Sequence, residues 1–107
     1  MKIPNKIRIG GQDINISIKE HLVDEKLGTI CLASGELNIA EKFHEYNQSE
    51  SSQVNTFIHE VVHGVLDTMG EDKLAYNERF VNTFASLLVD VIEEIVKVNV
   101  DSKKGKK

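Results

Sequence analysis

The first forty residues alternate between apolar and polar side chains. Isoleucine recurs at every second position in two short runs, Ile7 and Ile9, then Ile14, Ile16 and Ile18. A period of two is that of a β-strand with one buried face. Gly10-Gly11 separates the runs and suits a two-residue turn, because glycine adopts positive φ at little cost. The pattern therefore predicts a β-hairpin.

A second alternating stretch follows and predicts a second hairpin. With Ser34-Gly35 as its turn, Leu32 lies opposite Leu37. The same register places Ile30 opposite Ile39, so that all four apolar side chains share one face of the hairpin. A small antiparallel sheet made of two hairpins is the expected N-terminal half of the chain.

After Ser49 the apolar residues recur at three- and four-residue steps, which is the period of an α-helix. Ser49 or Ser51 is the expected N-cap, and Gly70 is placed to end the helix in a left-handed conformation. A second, long helix is predicted over residues 73–98. Its predicted apolar face contains Val81, Phe84, Ala85, Leu88, Val91, Ile92 and Ile95. Strands followed by helices indicate an α+β domain.

The length of 107 residues suits one domain with one core, expected over residues 1–100. Four of the last five residues are lysine, so residues 101–107 are expected to form a disordered Lys-rich tail. The net charge of −4 argues against a nucleic-acid partner. No apolar run is long enough to span a membrane, and no export signal is visible. With Cys31 as its single cysteine, the chain is expected to be cytoplasmic.

The first helix carries the motif His59-Glu60-x-x-His63. A spacing of four places the two imidazoles one turn apart on the same flank, where both can reach one metal ion. Glu60 lies beside them, in a position to act on a metal-activated water without binding the metal. The alternative is an ordinary solvated flank, because Thr56 and Asp67 fall within the same polar arc.

A metal site needs a third protein ligand. Asp67 lies eight residues beyond His59, a rise of about 12 Å, which is too far for one coordination sphere. It could instead accept a hydrogen bond from His63, or simply be solvated. Glu78 lies at the margin of the apolar arc of the second helix, where a carboxylate is costly unless it is paired or bound to a metal. Alternatively, Glu78 stays hydrated and complements the helix dipole.

Two segments of the chain resemble the ImmA/IrrE-type metallopeptidase domain. That family has HExxH followed by a segment of the form E-x-x-A-N-x-F-A-x-x-L-L, and the resemblance covers about residues 54–90. The matching segments here are HEVVH and Glu78-Arg79-Phe80-Val81-Asn82-Thr83-Phe84-Ala85-Ser86-Leu87-Leu88. Val81 replaces the usual alanine of the family pattern.

The resemblance implies a minimal zincin-like fold and a zinc-dependent peptidase. It implies that His59, His63 and Glu78 bind Zn²⁺ and that Glu60 is the general base and acid. The expected substrate is a peptide or protein, for example a regulator of a phage or mobile element, since small proteins of this type are common in phages and prophages.

The resemblance also implies an edge strand of the sheet that aligns the substrate, and the segment from Glu36 to Ala40 is the candidate. The chain departs from larger relatives in having no clear additional histidine or tyrosine after the site to stabilise the oxyanion; Tyr76, His44 and Tyr46 are the candidates. Two other hypotheses stay open: a non-catalytic interaction protein of the same fold in which zinc holds two helices together, and an interaction protein without metal. The oligomeric state does not follow from the sequence.

Overall fold

In a computed structural model of the chain, both predicted hairpins form and join into one four-stranded sheet. The structure describes residues 1–105, with side chains up to residue 99. The strands are β1 (Lys6–Ile9), β2 (Gln12–Lys19), β3 (Gly28–Cys31) and β4 (Glu36–Ala40). Their order across the sheet is β1-β2-β4-β3. The predicted α+β class is confirmed.

The first hairpin has the predicted register. Ile9 lies opposite Gln12, so that Gly10 and Gly11 form the whole connection between β1 and β2. Both glycines have positive φ, +57° and +82°, as a tight two-residue turn requires.

The pairing between the two hairpins differs from the prediction, because β2 and β4 run parallel. Ile16 lies opposite Leu37 and Ile18 opposite Ile39 in this central pair. The sheet is therefore mixed, and the expectation of a purely antiparallel sheet was wrong. The central position of β4 has a physical reason: with a strand on each side, Leu37 and Ile39 become completely buried.

The second hairpin is shifted by two residues from the predicted register. Ile30 lies opposite Leu37 and Gly28 opposite Ile39, so the predicted pairs were wrong. The connection is a four-residue turn in which the amide of Gly35 donates to the carbonyl of Leu32 at 3.2 Å. A shift of two residues keeps every side chain on the same face, and the alternation of apolar residues therefore cannot distinguish the two registers.

Helix α1 (Glu50–Met69) has the predicted ends. The hydroxyl of Ser49 accepts a hydrogen bond from the amide of Ser52 at 3.1 Å, which makes Ser49 the N-cap. Gly70 ends the helix with a φ of +78°. A short hairpin of β5 (Lys42–Phe43) and β6 (Tyr46–Asn47), which the sequence pattern did not predict, precedes the helix.

The second predicted helix is interrupted near its start. Helix α2 (Asp72–Ala75) is a single turn, and the long helix α3 begins at Glu78 and runs to Gly105. Tyr76 and Asn77 separate them, and the side-chain oxygen of Asn77 accepts a hydrogen bond from the amide of Phe80 at 3.0 Å. The helix includes residues 101–105 of the segment predicted to be a disordered tail; residues 106 and 107 lie outside the described residues.

Helix α1 lies between the sheet and α3, and it contacts β3, β4 and α3. The face of α3 that packs on it is centred on Val81, Ala85 and Val89, all buried. Leu88 and Ile92 are half-buried at its margin. Three other residues of the predicted apolar face, Phe84, Val91 and Ile95, are exposed, because they lie on the side of α3 turned away from α1. Among the described helices, none combines the length and apolarity needed to cross a bilayer.

Replacing the N-cap of α1 tests the assignment of the helix start. Ser49→Ala removes the acceptor of the Ser52 amide, and we expect the free energy of unfolding to fall by about 1 kcal/mol. The matched control is Ser51→Ala inside the first turn, which is expected to change stability by less than about 0.5 kcal/mol. Urea denaturation of the metal-free protein measures both. Equal effects of the two changes would contradict the cap assignment.

Candidate metal centre

Helix α1 turns the two histidines of the HExxH motif toward the start of α3. The Nε2 atoms of His59 and His63 lie 3.1 Å apart, and both rings are mostly shielded from solvent. Thr56, one turn before His59, is buried. This flank of α1 therefore packs in the protein and is not the solvated face that the alternative reading of the motif assumed.

Glu78 lies directly opposite the two histidines. One carboxylate oxygen of Glu78 is 3.3 Å from Nε2 of His59, and the other is 3.1 Å from Nε2 of His63. Its position follows from the local sequence: Asn77 caps α3, so Glu78 is the first residue of that helix. Asp67 is exposed and is not part of the group in which His59, His63 and Glu78 meet.

The three side chains fit a metal ion. Each offers one donor atom, and the three atoms lie within 4.8 Å of one another. Two ligands of a tetrahedral site with bonds of 2.0–2.1 Å lie about 3.3 Å apart, close to the contacts of 3.1 Å and 3.3 Å found here. Lone pairs that converge in this way repel one another unless a proton or a cation lies between them. The group can therefore hold a metal ion.

The surroundings of His59 favour the neutral imidazole, which is the form that binds metals. Burial lowers the pKa of His59, and the neighbouring His63 adds to this effect. Glu78 and Asn82 oppose the shift without cancelling it. Because neutral imidazole keeps the lone pair on nitrogen, less proton release is needed when a metal binds.

Glu60 is a partly buried carboxylate at the same site. Burial raises the pKa of Glu60 to about 6, and the negative charge of Glu78 adds to the increase. His63 and Lys26 act in the opposite direction. The folded protein therefore binds a proton at Glu60 more readily than the unfolded chain does, and the ionised side chain carries a desolvation cost.

The site opens into a cleft of about 760 Å³ between α1, α3 and β3. His59, Glu60, His63 and Glu78 all line this cleft. Its opposite wall contains three consecutive residues of β3, Gly28, Thr29 and Ile30. A volume of this size suits a bound segment of several residues or a ligand of comparable size.

The wall formed by β3 is the open edge of the sheet. The amide of Ala40 donates to the carbonyl of Leu27 at 2.8 Å, so the backbone groups of Leu27 point toward β4. Thr29 lies two residues further along, in β3, and its backbone N–H and C=O groups therefore also point toward β4. In an antiparallel pair the intervening residues turn their backbone groups to the other side. The N–H and C=O groups of Gly28 and Ile30 therefore point away from β4, toward the open edge.

The segment predicted to be the substrate-aligning edge strand does not lie at an edge of the sheet. The segment Glu36–Ala40 is β4, which has β2 on one side and β3 on the other. Its backbone groups are used within the sheet. The edge next to the site belongs to β3, and the misassignment follows from the β2–β4 pairing that the local pattern did not reveal.

Of the three candidates for stabilising an oxyanion, one lines the cleft and two do not. Tyr76 lines it and is 84% exposed. His44 and Tyr46 lie in the β5–β6 region and are not among the lining residues. His44 instead donates its backbone amide to the carboxylate of Glu25.

Two residues that contribute to the site were not predicted from the sequence. Asn82, on α3, lines the cleft together with His59 and raises the pKa of that histidine. Asn82 lies one turn after Glu78 on the same face of the helix, and this spacing could have predicted that it lines the same site. Gly28 is the second: a Cβ at this position would lie 2.6 Å from the Thr56 side chain and 3.0 Å from Cγ of Glu60. This close approach of Gly28 to Thr56 and Glu60 is visible only in the folded structure, because the residues are far apart in the sequence.

Comparisons with known proteins give no match: no family model, no curated protein and no solved structure is similar to this chain at a significant level. The resemblance to the ImmA/IrrE-type domain therefore depends on the motif residues alone.

Removing one carboxylate tests the composition of the metal site. We expect Glu78→Ala to weaken metal affinity by at least about a hundredfold, because even residues that only support a metal ligand contribute tenfold to a hundredfold. The control Asp67→Ala removes a carboxylate from the same cleft and should leave the affinity unchanged. Titration against a chelator of known affinity measures both variants. Equal losses of metal affinity in the two variants would show that the negative charge of the cleft, and not direct ligation by Glu78, determines metal binding.

Burial of Glu60 predicts a pH-dependent stability effect in the metal-free protein. Its pKa is raised in the folded state, so the fold loses stability as the pH rises through the interval from 4.5 to about 6. Glu60→Gln removes this cost and should stabilise the protein by up to about 2 kcal/mol at about pH 7.5, with no gain at about pH 4.

Denaturant unfolding with a chelator present measures the effect at both pH values. Asp67→Asn is the control, since an exposed carboxylate should give a change within about 0.5 kcal/mol. A Glu60→Gln variant that is no more stable than the original protein at about pH 7.5 would contradict the burial argument.

Proposed function

We propose that this protein is a zinc-dependent metallopeptidase. The observation that carries the proposal is the position of Glu60: a partly buried carboxylate adjacent to His59, in a cleft that also contains the three-donor group. A metal site that served only to hold helices together would have no need of a desolvated carboxylate beside it, since such a group lowers stability.

Zinc is the ion that the donor set favours. Two imidazole nitrogens and one carboxylate form a typical three-ligand zinc site, in which a fourth position stays open for water or substrate. Hard ions such as Mg²⁺ and Ca²⁺ prefer sites made of oxygen ligands. His59, His63 and Glu78 would hold the ion. When bound, zinc supplies Lewis acidity that lowers the pKa of water and polarises the substrate carbonyl.

Glu60 is the proposed general base and acid. It accepts a proton from water as the water attacks the peptide carbonyl, and it then delivers that proton to the leaving amine. Both transfers need a carboxylate that reaches the reacting atoms without serving as a ligand, and Glu60 lines the cleft outside the three-donor group. Tyr76 is the accessible hydroxyl for stabilising the oxyanion.

An extended peptide is the proposed substrate. The outward N–H and C=O groups of Gly28 and Ile30 can pair with the backbone of a peptide, which would add a strand to the sheet. Gly28 faces Glu60 across a short distance, so a strand bound at this edge passes next to the proposed base. Pairing through backbone groups places few demands on the side chains of the substrate.

The motif resemblance supports the same reading and a minimal zincin-like fold. If the resemblance reflects kinship, the natural substrate is a specific partner such as a regulator of a phage or mobile element, and the enzyme acts in the cytoplasm. The residues that support this inference are the HEVVH segment and the segment that begins at Glu78.

A non-catalytic zinc-stabilised interaction protein is the second candidate. The observation in its favour is that His59 and His63 lie on α1 while Glu78 lies on α3, so that one ion would tie two helices together. Small domains gain considerable stability from such a metal. The two functions make opposite predictions for a change at Glu60.

The test is peptide cleavage by the Glu60→Gln variant. Zinc-loaded protein is incubated with a library of unstructured peptides, and the products are identified by mass spectrometry. We expect Glu60→Gln to retain one equivalent of zinc and to lose cleavage by at least about a hundredfold, since proton transfer is lost. Asp67→Asn should keep both the metal and the activity.

Elemental analysis of each variant separates metal loss from loss of chemistry. Treatment with a chelator should abolish cleavage, and added zinc should restore it. If the zinc-loaded original protein cleaves no peptide, or if Glu60→Gln cleaves as fast as the original, the peptidase proposal is wrong and the interaction protein is favoured.

A further inference from the structure

Helix α3 carries a second apolar stripe that the domain itself does not bury. Its members recur at three- and four-residue steps and are between 43% and 62% exposed. They are Phe84, Leu87, Val91, Ile95 and Val98. Half-buried Phe80 extends the stripe toward the start of the helix. A continuous exposed stripe of this length is unusual for a monomer and marks an interaction surface.

The N-terminal half of the stripe forms a shallow groove of about 500 Å³. Phe80, Phe84 and Leu87 supply its apolar surface, and the two phenylalanine rings pack edge to face at 5.5 Å. The C-terminal half carries the slimmer side chains of Val91 and Ile95. One half of the stripe therefore offers a recess between aromatic rings, and the other half offers a ridge of branched side chains.

The two halves match each other in an antiparallel arrangement. If two copies of α3 cross with Leu87 facing Leu87, then Phe84 of one copy lies opposite Val91 of the other. The same register places Phe80 opposite Ile95. Because the arrangement has twofold symmetry, each of these layers occurs twice, and aromatic rings face branched side chains in every outer layer.

The charged flank of the stripe supports the same register. On one side of the stripe lie Arg79, Thr83, Asp90 and Glu94. In an antiparallel pair, residues on this flank face the same flank of the other copy. With Leu87 at the centre, Arg79 faces Glu94, so that opposite charges meet, and the uncharged Thr83 faces Asp90.

We propose that this protein forms a homodimer through the α3 stripe, with the two helices antiparallel and Leu87 on the twofold axis. The occupant of the groove is the Val91 and Ile95 ridge of a second copy. The inference does not depend on the proposed peptidase activity. Glu78 and Asn82 lie on another flank of α3, and the cleft stays open in the dimer.

The first test is the mass of the protein in solution. At about 100 µM, where a micromolar interface is largely occupied, sedimentation equilibrium should give twice the mass of the chain. Leu87→Asp places two carboxylates on the twofold axis and should give a monomer. The control Met69→Asp changes an apolar residue of equal exposure on α1, 65% against 62%, and should remain a dimer.

The second test exchanges the flanking charges. Arg79→Glu alone should weaken the dimer by about tenfold, because two pairs per dimer are reversed at once. Glu94→Arg alone should do the same. The double variant restores opposite charges across the interface and should recover most of the affinity. Circular dichroism confirms that each variant is folded.

The third test fixes the register. In a Cys31→Ser background, Leu87→Cys should form a covalent dimer on mild oxidation, since the two copies meet at this position. Met69→Cys in the same background should not. The proposal is overturned by a monomer at about 100 µM, by a dimer that persists in Leu87→Asp, by a double charge variant no better than the single ones, or by equal cross-linking at both cysteines.

Discussion

At Gly64, helix α1 lies so close to the sheet that a Cβ would approach the side chain of Ile30 to 2.7 Å and that of Ile9 to 3.1 Å. Gly28 of β3 is a second such position, because a Cβ there would approach the side chains of Thr56 and Glu60 on α1 equally closely. Two glycines thus let a helix and a strand approach more closely than side chains would allow. This contact places the histidine flank of α1 directly beside the open edge of the sheet.

The burial of Glu60 is a consequence of that approach. Because β3 lies against this part of α1, the carboxylate loses much of its water, and its pKa rises to about 6. The stability that is lost there must be supplied elsewhere, and the core around Leu37, Ile39 and Val54 supplies it. A costly polar group in an otherwise well-packed region is characteristic of a functional site.

The place of Glu78 beside the two histidines was expected from the motif resemblance. Local patterns in the sequence were enough to predict the first hairpin and both ends of α1. Each of these depends on residues close together in the chain, through turn chemistry, capping or helix period. The parallel β2–β4 pair was not predictable in this way, because it depends on burying Leu37 and Ile39 from both sides. The error in the substrate-aligning strand followed from it.

The three donors differ in their access to water, and this difference bears on how an ion would be exchanged. Side-chain exposures are 21% for His59 and 18% for His63, but 61% for Glu78. The imidazoles are held by their packing, whereas the glutamate can swing outward about its side-chain torsions. In a metal-loaded protein the carboxylate would therefore be the ligand that water or a chelator reaches first, while both nitrogens stay in place.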